Sequence, residues 1–485
     1  MKKVELIFIP FPVMGHIISA VEIANLLSSR YNHRLSITIL LMDLPFDSMA
    51  TAYTRSLSSD VEGSVKFVNL PPPQQTPPEL SSLKSPHTFL QTTVDAQIPN
   101  VRAAIVELTQ SLDSGPLAGL VLDMNCSATM IDLAHEMHVP SYVFFTSGAA
   151  FLGLLFHLQS LHDDHCADVT EFLDSNAELV VPCFANPVPS RVLPHAILNK
   201  EGWYAMTLNF ARSLRKSKGI LVNTCAELES YAINSLNSST IKIPPIYPVG
   251  PLLNRTNDDQ KESSIISWLD DQPPSSVVFL CFGSMGSFSV DQVREIARGL
   301  EHSGQRFIWS LRRSQPSTNG ITYPTSCANL EELLPEGFLE RTVGIGKIIG
   351  WAPQVAVLAH KAVGGFMSHC GWNSILESVW WGVPVATWPM YAEQHLNAFE
   401  MLKELGLGVE IIMDYKRDGH EGDLVSAKQI EMGIRGVMEG DGEMRKKVKD
   451  MSEKAQEAIM EGGSSHTSLG HFVEQVMCNM DTKSN

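Results

Sequence analysis

The sequence has few charged residues and no excess of basic ones. Only 18% of its 485 residues are charged, and the formal net charge at pH 7 is -17. An acidic surface repels polyanions, which argues against nucleic acid or an anionic membrane as a partner. A small anionic ligand stays open where local dipoles and hydrogen-bond donors outweigh the overall field.

Paired cysteines and long apolar runs are missing as well. The eight cysteines are scattered singly, without a C-x-x-C pair, which is typical of reduced thiols in the cytoplasm. No apolar run reaches the ~20 residues of a spanning helix. The start, MKKVELIFIPFPVMG, is interrupted by Glu5 and two prolines, which favours a buried strand over a signal peptide. We expect a cytoplasmic protein without stable membrane insertion, and a monomer.

The chain is long enough for two domains. Short apolar runs alternate with helical patterns in both halves, which predicts an α/β fold of parallel sheets with crossover helices. We predict a first domain over residues 1–249, a linker over 250–264 that begins with Gly-Pro, and a second domain over 265–464. The proline-rich segment 71–86 is predicted to be a long loop.

The predicted strands are VELIFIPF, LSITILL, SVKFVNL, LAGLVLD and SYVFFT in the first half, and SVVFLCFGS, RFIWSLR, GKIIGWA, AVGGFMSH and VPVATWP in the second. The predicted helices are HIISAVEIANLLSSR, CSATMIDLAHEM, DQVREIARGLEHSG and NSILESVWWG, followed by two near the C-terminus over 442–460 and 465–478.

Polar side chains gather where the strands of the second half end. His369, Asn373 and Ser374 lie between the strand GGFMSH and the helix NSILESVWWG. Ligands of open α/β sheets bind at the carboxyl ends of strands, and a helix N-terminus offers free N–H groups and a dipole to an anion. We therefore predict a diphosphate site here that needs no basic patch.

Glu377 admits two interpretations. Together with Ser374 it matches the S-x-x-E capping box, so its role could be limited to capping the helix. It also lies one turn beyond Asn373, and YAEQ brings Glu393 and Gln394 to the same crevice after the next strand. A carboxylate beside a carboxamide suits vicinal sugar hydroxyls, which favours a ligand-binding role.

The stretch from Trp351 to Gln394 resembles the signature box of the plant secondary-product UDP-glycosyltransferases (glycosyltransferase family 1). The patterns W-x-P-Q, H-C-G-W-N-S-x-x-E-S, G-V-P and W-P-x-x-x-E-Q all occur without a break. The resemblance implies the GT-B fold, in which two Rossmann-like domains face each other across a cleft. We then expect the C-terminal helix, 465–480, to join the first domain in space.

The resemblance also implies a role for each residue of the box. Uracil would stack on Trp351 beside Ala352 and Gln354, and Glu377 would bind the ribose. Diphosphate contacts would come from Ser284, His369, Asn373 and Ser374, and sugar contacts from Thr146, Trp372, Glu393 and Gln394. Gln at position 394 resembles the users of UDP-glucose.

Two residues of the first half are candidates for general-base catalysis. His16 follows the first strand and precedes a helix, whose N-terminus is expected to keep the imidazole neutral. Asp123 ends the strand LAGLVLD at the same edge of the sheet, where a carboxylate fixes the tautomer and stabilises the imidazolium. A lone histidine after a strand is more often structural, but the resemblance places the catalytic histidine and aspartate of the family at these positions.

Metal-binding signals are weak. The stretch HDDH, 162–165, has the residue types of a metal site but lacks a fourth ligand, so we predict a solvated loop. No D-x-D motif occurs, which lowers support for a metal-dependent nucleotide-sugar enzyme. We expect no metal and no other cofactor, with UDP-glucose as a co-substrate.

These observations predict an inverting O-glucosyltransferase that converts UDP-glucose and a small apolar acceptor to a β-glucoside. A flat phenolic such as a flavonoid suits the apolar residues expected around the acceptor, which are Phe11, Met14, Phe89, Met124, Phe145 and Phe184. The alternatives are a triterpenoid or plant-hormone glucosyltransferase, or a non-catalytic nucleotide-sugar binder. A pure binder would need neither His16 nor Asp123.

Overall fold

The computed structural model describes most of the chain, in thirteen segments. They are residues 3–44, 48–59, 64–74, 86–110, 115–173, 175–199, 204–238, 242–254, 263–313, 324–326, 329–415, 424–439 and 442–481. Within these segments, no helix combines the length and the apolar character needed to cross a membrane.

The first half forms a seven-stranded parallel sheet in the order β3-β2-β1-β4-β5-β8-β9. The strands of this half are β1 Val4–Ile9, β2 Leu35–Leu41, β3 Val65–Asn69, β4 Leu117–Asp123, β5 Ser141–Phe145, β6 Glu178–Leu179, β7 Val188–Pro189, β8 Ile220–Val222 and β9 Ile246–Pro248. The helices are α1 Met14–Tyr31, α2 Ser48–Ser59, α3 Pro86–Ala96, α4 Ile98–Gln110, α5 Ser127–Glu136, α6 Ala149–His165, α7 His195–Leu198, α8 Tyr204–Leu214 and α9 Ser230–Ser238.

The second half forms a six-stranded parallel sheet in the order β14-β11-β10-β15-β16-β17. The strands of this half are β10 Val277–Cys281, β11 Arg306–Ser310, β12 Arg312–Arg313, β13 Thr325–Ser326, β14 Gly346–Ile349, β15 Val363–Ser368, β16 Val385–Thr387 and β17 Gly408–Glu410. Of these, β12 and β13 form a separate two-stranded sheet. Its helices are α10 Ser263–Asp270, α11 Val290–Ser303, α12 Phe338–Arg341, α13 Gln354–Leu358, α14 Trp372–Trp381, α15 Gln394–Phe399, α16 Ala427–Glu439, α17 Gly442–Ile459 and α18 Ser464–Asp481. A π-helix, Glu400–Glu404, continues α15.

Strand register brings the ends of distant segments together. In the first sheet Ile9 at the end of β1 pairs with Leu122 of β4. In the second sheet Cys281 at the end of β10 pairs with Ser368 of β15. Because parallel strands end at one edge, the loops after each pair are neighbours, and these loops carry the predicted site residues.

The predicted strands and helices are confirmed, with small shifts at their ends. One prediction was wrong: residues 162–165 are the last turn of α6, not a loop. This turn is held by Tyr204, whose hydroxyl lies 2.7 Å from Nδ1 of His162, and by an ion pair between Asp163 and Arg212. These partners lie forty or more residues away in sequence, so the local pattern of polar residues does not show them.

Two predicted connections lie partly outside the described residues. The proline-rich loop is described only at residues 71–74, and at Pro86 the chain already begins α3. The linker is described over 250–254, and α10 begins at Ser263, inside its predicted end. The domain boundaries at 249 and 264 stay predictions.

Helix α18 packs against the first sheet although it follows the second. Its side chains Leu469, Phe472 and Val476 are fully buried in the same core as β1 and β2. The Phe472 ring meets Tyr142 edge-on at 5.1 Å between centroids, and Asn479 donates a hydrogen bond of 2.8 Å to the Tyr142 hydroxyl. The chain therefore returns to its first half at the end.

Candidate active site

His16 and Asp123 are in direct contact at the edge of the first sheet. Nδ1 of His16, in the first turn of α1, lies 2.8 Å from Oδ2 of Asp123, whose side chain is only 1% exposed. The backbone N–H of Asn125 donates to the other Asp123 oxygen at 2.8 Å, and the Thr146 hydroxyl lies 3.1 Å from the same Nδ1. With Asp123 ionised, Nδ1 carries the proton and Nε2 is the nitrogen free to accept one.

The carboxylates around His16 decide its protonation. Burial lowers its pKa, but the charge and hydrogen bond of Asp123, together with the charge of Glu393, raise the pKa overall above the usual 6.5. The helix N-terminus, expected to disfavour the imidazolium, is thus not what sets the direction of this pKa shift. A carboxylate in contact outweighs the helix dipole because its charge is larger and closer.

Gln354 links two helices beneath the predicted ribose site. Its Nε2 donates to Oγ of Ser374 and to Oε2 of Glu377, both at 2.7 Å. The capping-box interpretation is wrong, since the N-cap of α14 is Gly371 and no side chain caps it. Burial raises the pKa of Glu377 to about 7, and the hydrogen bond from Gln354 offsets part of that rise.

His369 is a buried, neutral imidazole beside a glycine turn. It is 7% exposed, and its Nδ1 has no hydrogen-bond partner within the described segments. Burial first, and the charge of Arg312 second, lower its pKa to about 4. Gly283 has φ +70°, and a Cβ there would lie 2.4 Å from Nε2 of His369. Only glycine fits this turn without displacing the imidazole.

The side chains of Asn373 and Trp372 donate hydrogen bonds to the first half of the chain. Nδ2 of Asn373 donates to the Gly15 carbonyl at 3.2 Å and to Oγ of Ser19 at 3.3 Å. The buried Trp372 indole donates to the Asn223 carbonyl at 2.7 Å. What these two residues retain for an anion is their backbone N–H groups in the open first turn of α14.

Glu393 and Gln394 stand where the second half meets the first. The Ser147 hydroxyl donates to Oε1 of Glu393 at 3.2 Å. Oε1 of Gln394 accepts from the backbone N–H groups of Met390 at 3.0 Å and Tyr391 at 3.1 Å. These two bonds fix the orientation of the amide, so its NH₂ end is the part available to a ligand hydroxyl.

Trp351 presents an aromatic face beside a residue that the sequence analysis missed. The indole is 49% exposed, next to buried Ala352. The guanidinium carbon of Arg312 lies 5.2 Å from the indole centroid. Nη1 of Arg312 donates to the Ser284 carbonyl at 3.0 Å, and Nη2 donates to the Gly283 carbonyl. The available signal was a basic residue two positions after a buried strand.

The residues expected around the acceptor fall into two groups. Phe11 and Met124 are beside the His16–Asp123 pair, with the Phe11 and His16 rings edge-on at 5.6 Å. Met14 and Phe89 are half-buried. By contrast, Phe145 is fully buried in the core against Phe151, and Phe184 packs against Phe399 of the second half at 5.9 Å. The acceptor pocket that these six residues would line stays a prediction.

Among the residues that the structure describes, no three histidine, cysteine, aspartate or glutamate side chains converge in a way that could hold a metal ion.

Comparison with known proteins gives consistent matches. Residues 253–418 match the protein-family model described as UDP-glucoronosyl and UDP-glucosyl transferase. A strawberry (Fragaria ananassa) protein described as putative UDP-glucose flavonoid 3-O-glucosyltransferase 3 is 55% identical, over 98% of this chain and 100% of its own length.

Two solved structures share the fold over nearly the whole chain. Medicago truncatula UGT71G1 complexed with UDP-glucose has a TM-score of 0.85 at 42% identity, covering 98% of both chains. A UGT transferase from Siraitia grosvenorii in complex with UDP has a TM-score of 0.84 at 47% identity, covering 98% of this chain and 100% of that one.

Proposed function

The chain belongs to the plant UDP-glycosyltransferases, and from this premise we propose that it transfers glucose from UDP-glucose to a hydroxyl of a small apolar acceptor, with inversion. It is a UDP-glycosyltransferase with the GT-B fold. The observation that carries the proposal is the 2.8 Å contact between His16 and Asp123. This contact gives the enzyme a proton acceptor, which a protein that only binds nucleotide sugars does not need.

The proposed reaction is a single displacement at the anomeric carbon. Nε2 of His16 accepts the proton of the acceptor hydroxyl while Asp123 stabilises the imidazolium that forms. The acceptor oxygen bonds to the anomeric carbon from the face opposite UDP, and the bond from that carbon to the diphosphate breaks. UDP leaves with the bonding electrons, so an α-linked donor gives a β-glucoside. His16 then releases its proton to solvent.

The donor would lie along the second half, with its sugar toward His16. Uracil would meet Trp351, Ala352 and Gln354; the ribose Glu377; the diphosphate Ser284, His369, Asn373 and Ser374; and the hexose Thr146, Trp372, Glu393 and Gln394. For Asn373 and Trp372 the contact is through backbone N–H groups, because their side chains hold the first half. A helix N-terminus with neutral donors can stabilise a leaving diphosphate in an acidic protein.

The acceptor class is proposed to be flavonoids or other phenolics. The support is the apolar surroundings of the base, where Phe11 and Met124 adjoin His16 and Asp123, and the flavonoid named for the strawberry relative. The alternative is a triterpenoid or plant-hormone acceptor. We also propose that catalysis needs no metal or other cofactor, and that the enzyme acts as a monomer in the cytoplasm.

An acceptor panel with UDP-glucose tests the proposal. A flavonol, a simple phenol, a triterpenoid alcohol and a hormone carboxylic acid would be incubated with wild-type enzyme and with His16→Ala. Products are identified by mass spectrometry, and the anomer by NMR. We expect a β-glucoside of the flavonol and an unchanged rate in EDTA. His16→Ala should lose roughly 10²–10⁴ in rate on a weakly acidic alcohol while UDP affinity is retained.

Each part of the proposal has its own contrary result. UDP binding without any product would indicate a non-catalytic binder. An α-anomer would contradict inversion, and near-normal turnover by His16→Ala would contradict its role as base. Loss of activity in EDTA that Mg²⁺ restores would contradict metal independence. Preference for the triterpenoid or the hormone would replace the flavonoid assignment and leave the rest standing.

A further inference from the structure

Arg312 is a buried cation without a carboxylate partner among the described residues. Its side chain is 7% exposed, and the described residues contain no aspartate or glutamate in an ion pair with it. Its Nε is buried and has no hydrogen-bond partner in this part of the chain. A buried charge is costly unless an opposite charge or several hydrogen bonds compensate it. The two backbone carbonyls that it contacts satisfy donors but carry no net charge.

Arg312 is surrounded on three sides by parts of the predicted donor site. One side is the indole of Trp351, another the turn Gly283–Ser284, and the third is His369, whose pKa its charge lowers. One guanidinium therefore joins the base end of the site to the diphosphate end. Arginine suits such a position because its planar fork serves several acceptors and its face stacks on an aromatic ring.

We propose that Arg312 supplies the fixed positive charge that a nucleoside diphosphate meets in this acidic protein, and that it holds Trp351 and the Gly283–Ser284 turn in register for that ligand. The inference rests on the proposed UDP-sugar site and adds a positioning residue outside the signature box. It explains how a chain of net charge -17 presents a site to a dianion. The diphosphate then provides the counter-charge that the described residues do not.

A purely structural role makes a different prediction. If Arg312 only fixes the ring and the turn, its loss should weaken uridine and UDP equally, since both use the base site. If its charge acts on the diphosphate, its loss should weaken UDP alone or far more. The ratio of the dissociation constants for uridine and UDP separates these roles. Misfolded protein binds neither ligand, so the ratio is insensitive to the folded fraction.

The experiment measures uridine and UDP binding by calorimetry on full-length wild type and three variants. We expect Arg312→Met to weaken UDP roughly tenfold or more and uridine less than about threefold, the range for hydrogen bonds to charged groups. Arg312→Lys keeps the charge and should retain most of the ratio. Arg313→Met is the matched control, because it removes the same charge from the exposed neighbouring residue, and both affinities should stay within about twofold.

The results separate this inference from the proposed function. Equal weakening of both ligands by Arg312→Met, or no weakening of either, would overturn the charge role of Arg312. A ratio for Arg312→Lys as low as that of Arg312→Met would do the same. Failure of the wild type to bind UDP would instead contradict the proposed donor site itself.

Discussion

At the scale of single residues, the proton affinity of His16 is set by carboxylates from both halves of the chain. Asp123 touches Nδ1, while Glu393 acts by charge from the second half. Raising the pKa makes the imidazole a stronger base but leaves more of it protonated near neutral pH. In the proposed mechanism the neutral imidazole is the catalytic form, so we expect activity to increase as pH rises through that pKa.

The pH profile of transfer tests this arrangement. For a weakly acidic alcohol, kcat/KM should rise with pH to a plateau, with its inflection above 6.5. Asp123→Asn should move the inflection to lower pH, because the attracting charge is lost. It should also lower kcat by roughly 10²-fold or more, within the range of general-base help. Asp132→Asn, the same change at an exposed residue of α5, should alter neither, and an unmoved inflection in Asp123→Asn would contradict the prediction.

The sequence predicted the His16–Asp123 pair because Asp123 ends one strand and His16 follows another strand of the same sheet. It did not predict that the Asn373 and Trp372 side chains hold Gly15 and Asn223. Those contacts join residues that are 149 or more positions apart, in different halves of the chain, and no local pattern encodes how the two halves dock. The role of Arg312 was not predicted for the same reason, since it depends on contacts with the three segments around the side chain.

At the scale of elements, strands were easier to predict than connections. Strands of a parallel sheet are covered on both faces, so they appear as continuous apolar runs such as Leu35–Leu41. The three-residue strands β8, β9 and β17 were missed, whereas β16, equally short, was predicted as part of the run VPVATWP. The S-x-x-E match only suggests a cap, and it does not mark one here, because α14 begins at Trp372, two residues before Ser374.

The loop after β16 offers a prediction about the two ends of the donor. Gln394→Ala should weaken UDP-glucose use while free UDP binds nearly as before, because the amide is proposed to contact the hexose. The expected loss is about 1–3 kcal/mol for each sugar hydroxyl left unpaired. Glu377→Ala should instead weaken UDP itself. Calorimetry with UDP, and kcat/KM for UDP-glucose, measure both effects.

A second substitution controls for the loop. Gln394→Ala also leaves the Met390 and Tyr391 N–H groups without their acceptor, whereas Gln394→Glu keeps an oxygen for them and removes only the NH₂ donor. Both variants should lose UDP-glucose use, and melting curves should show that Gln394→Glu retains more stability. If Gln394→Ala weakens UDP as much as UDP-glucose, the assignment of the two ends is wrong.

At the scale of the whole molecule, two buried carboxyl groups face each other across the halves. Glu229 accepts from the backbone N–H groups of Ala149 at 2.9 Å and Ala150 at 2.7 Å, at the start of α6. Glu400 opens the π-helix of the second half. Burial raises the pKa of both, and the charge of Glu229 raises that of Glu400 further. The pair therefore keeps a proton in the folded protein that the unfolded chain releases.

This linkage predicts how stability depends on pH. The contribution of the pair to stability is fully present below a pH of about 4.5, the ordinary glutamate pKa. It is lost as pH rises toward the pKa of the pair in the folded protein. Glu400→Gln retains a hydrogen-bond donor for Glu229 and removes the titration of residue 400. Its melting temperature should exceed that of wild type at pH 8 by a few degrees, since ~1 kcal/mol shifts Tm by about 2–4 °C in large domains, and less at pH 5.

Thermal melting of wild type and Glu400→Gln between pH 5 and 8 measures the difference. Glu410→Gln, on the exposed end of β17, provides the matched control and should follow wild type at every pH. Parallel curves for Glu400→Gln and wild type would mean that the pair does not hold the extra proton.

The position of α18 has a consequence for synthesis on the ribosome. Chains generally fold domain by domain as they emerge, yet the first sheet lacks one apolar cover until Leu469, Phe472 and Val476 have been made. All of the second sheet, through Glu410, is translated before that. The nascent first half therefore exposes an apolar face while the second half is translated. The core of the first half is completed only after α18 has been synthesised.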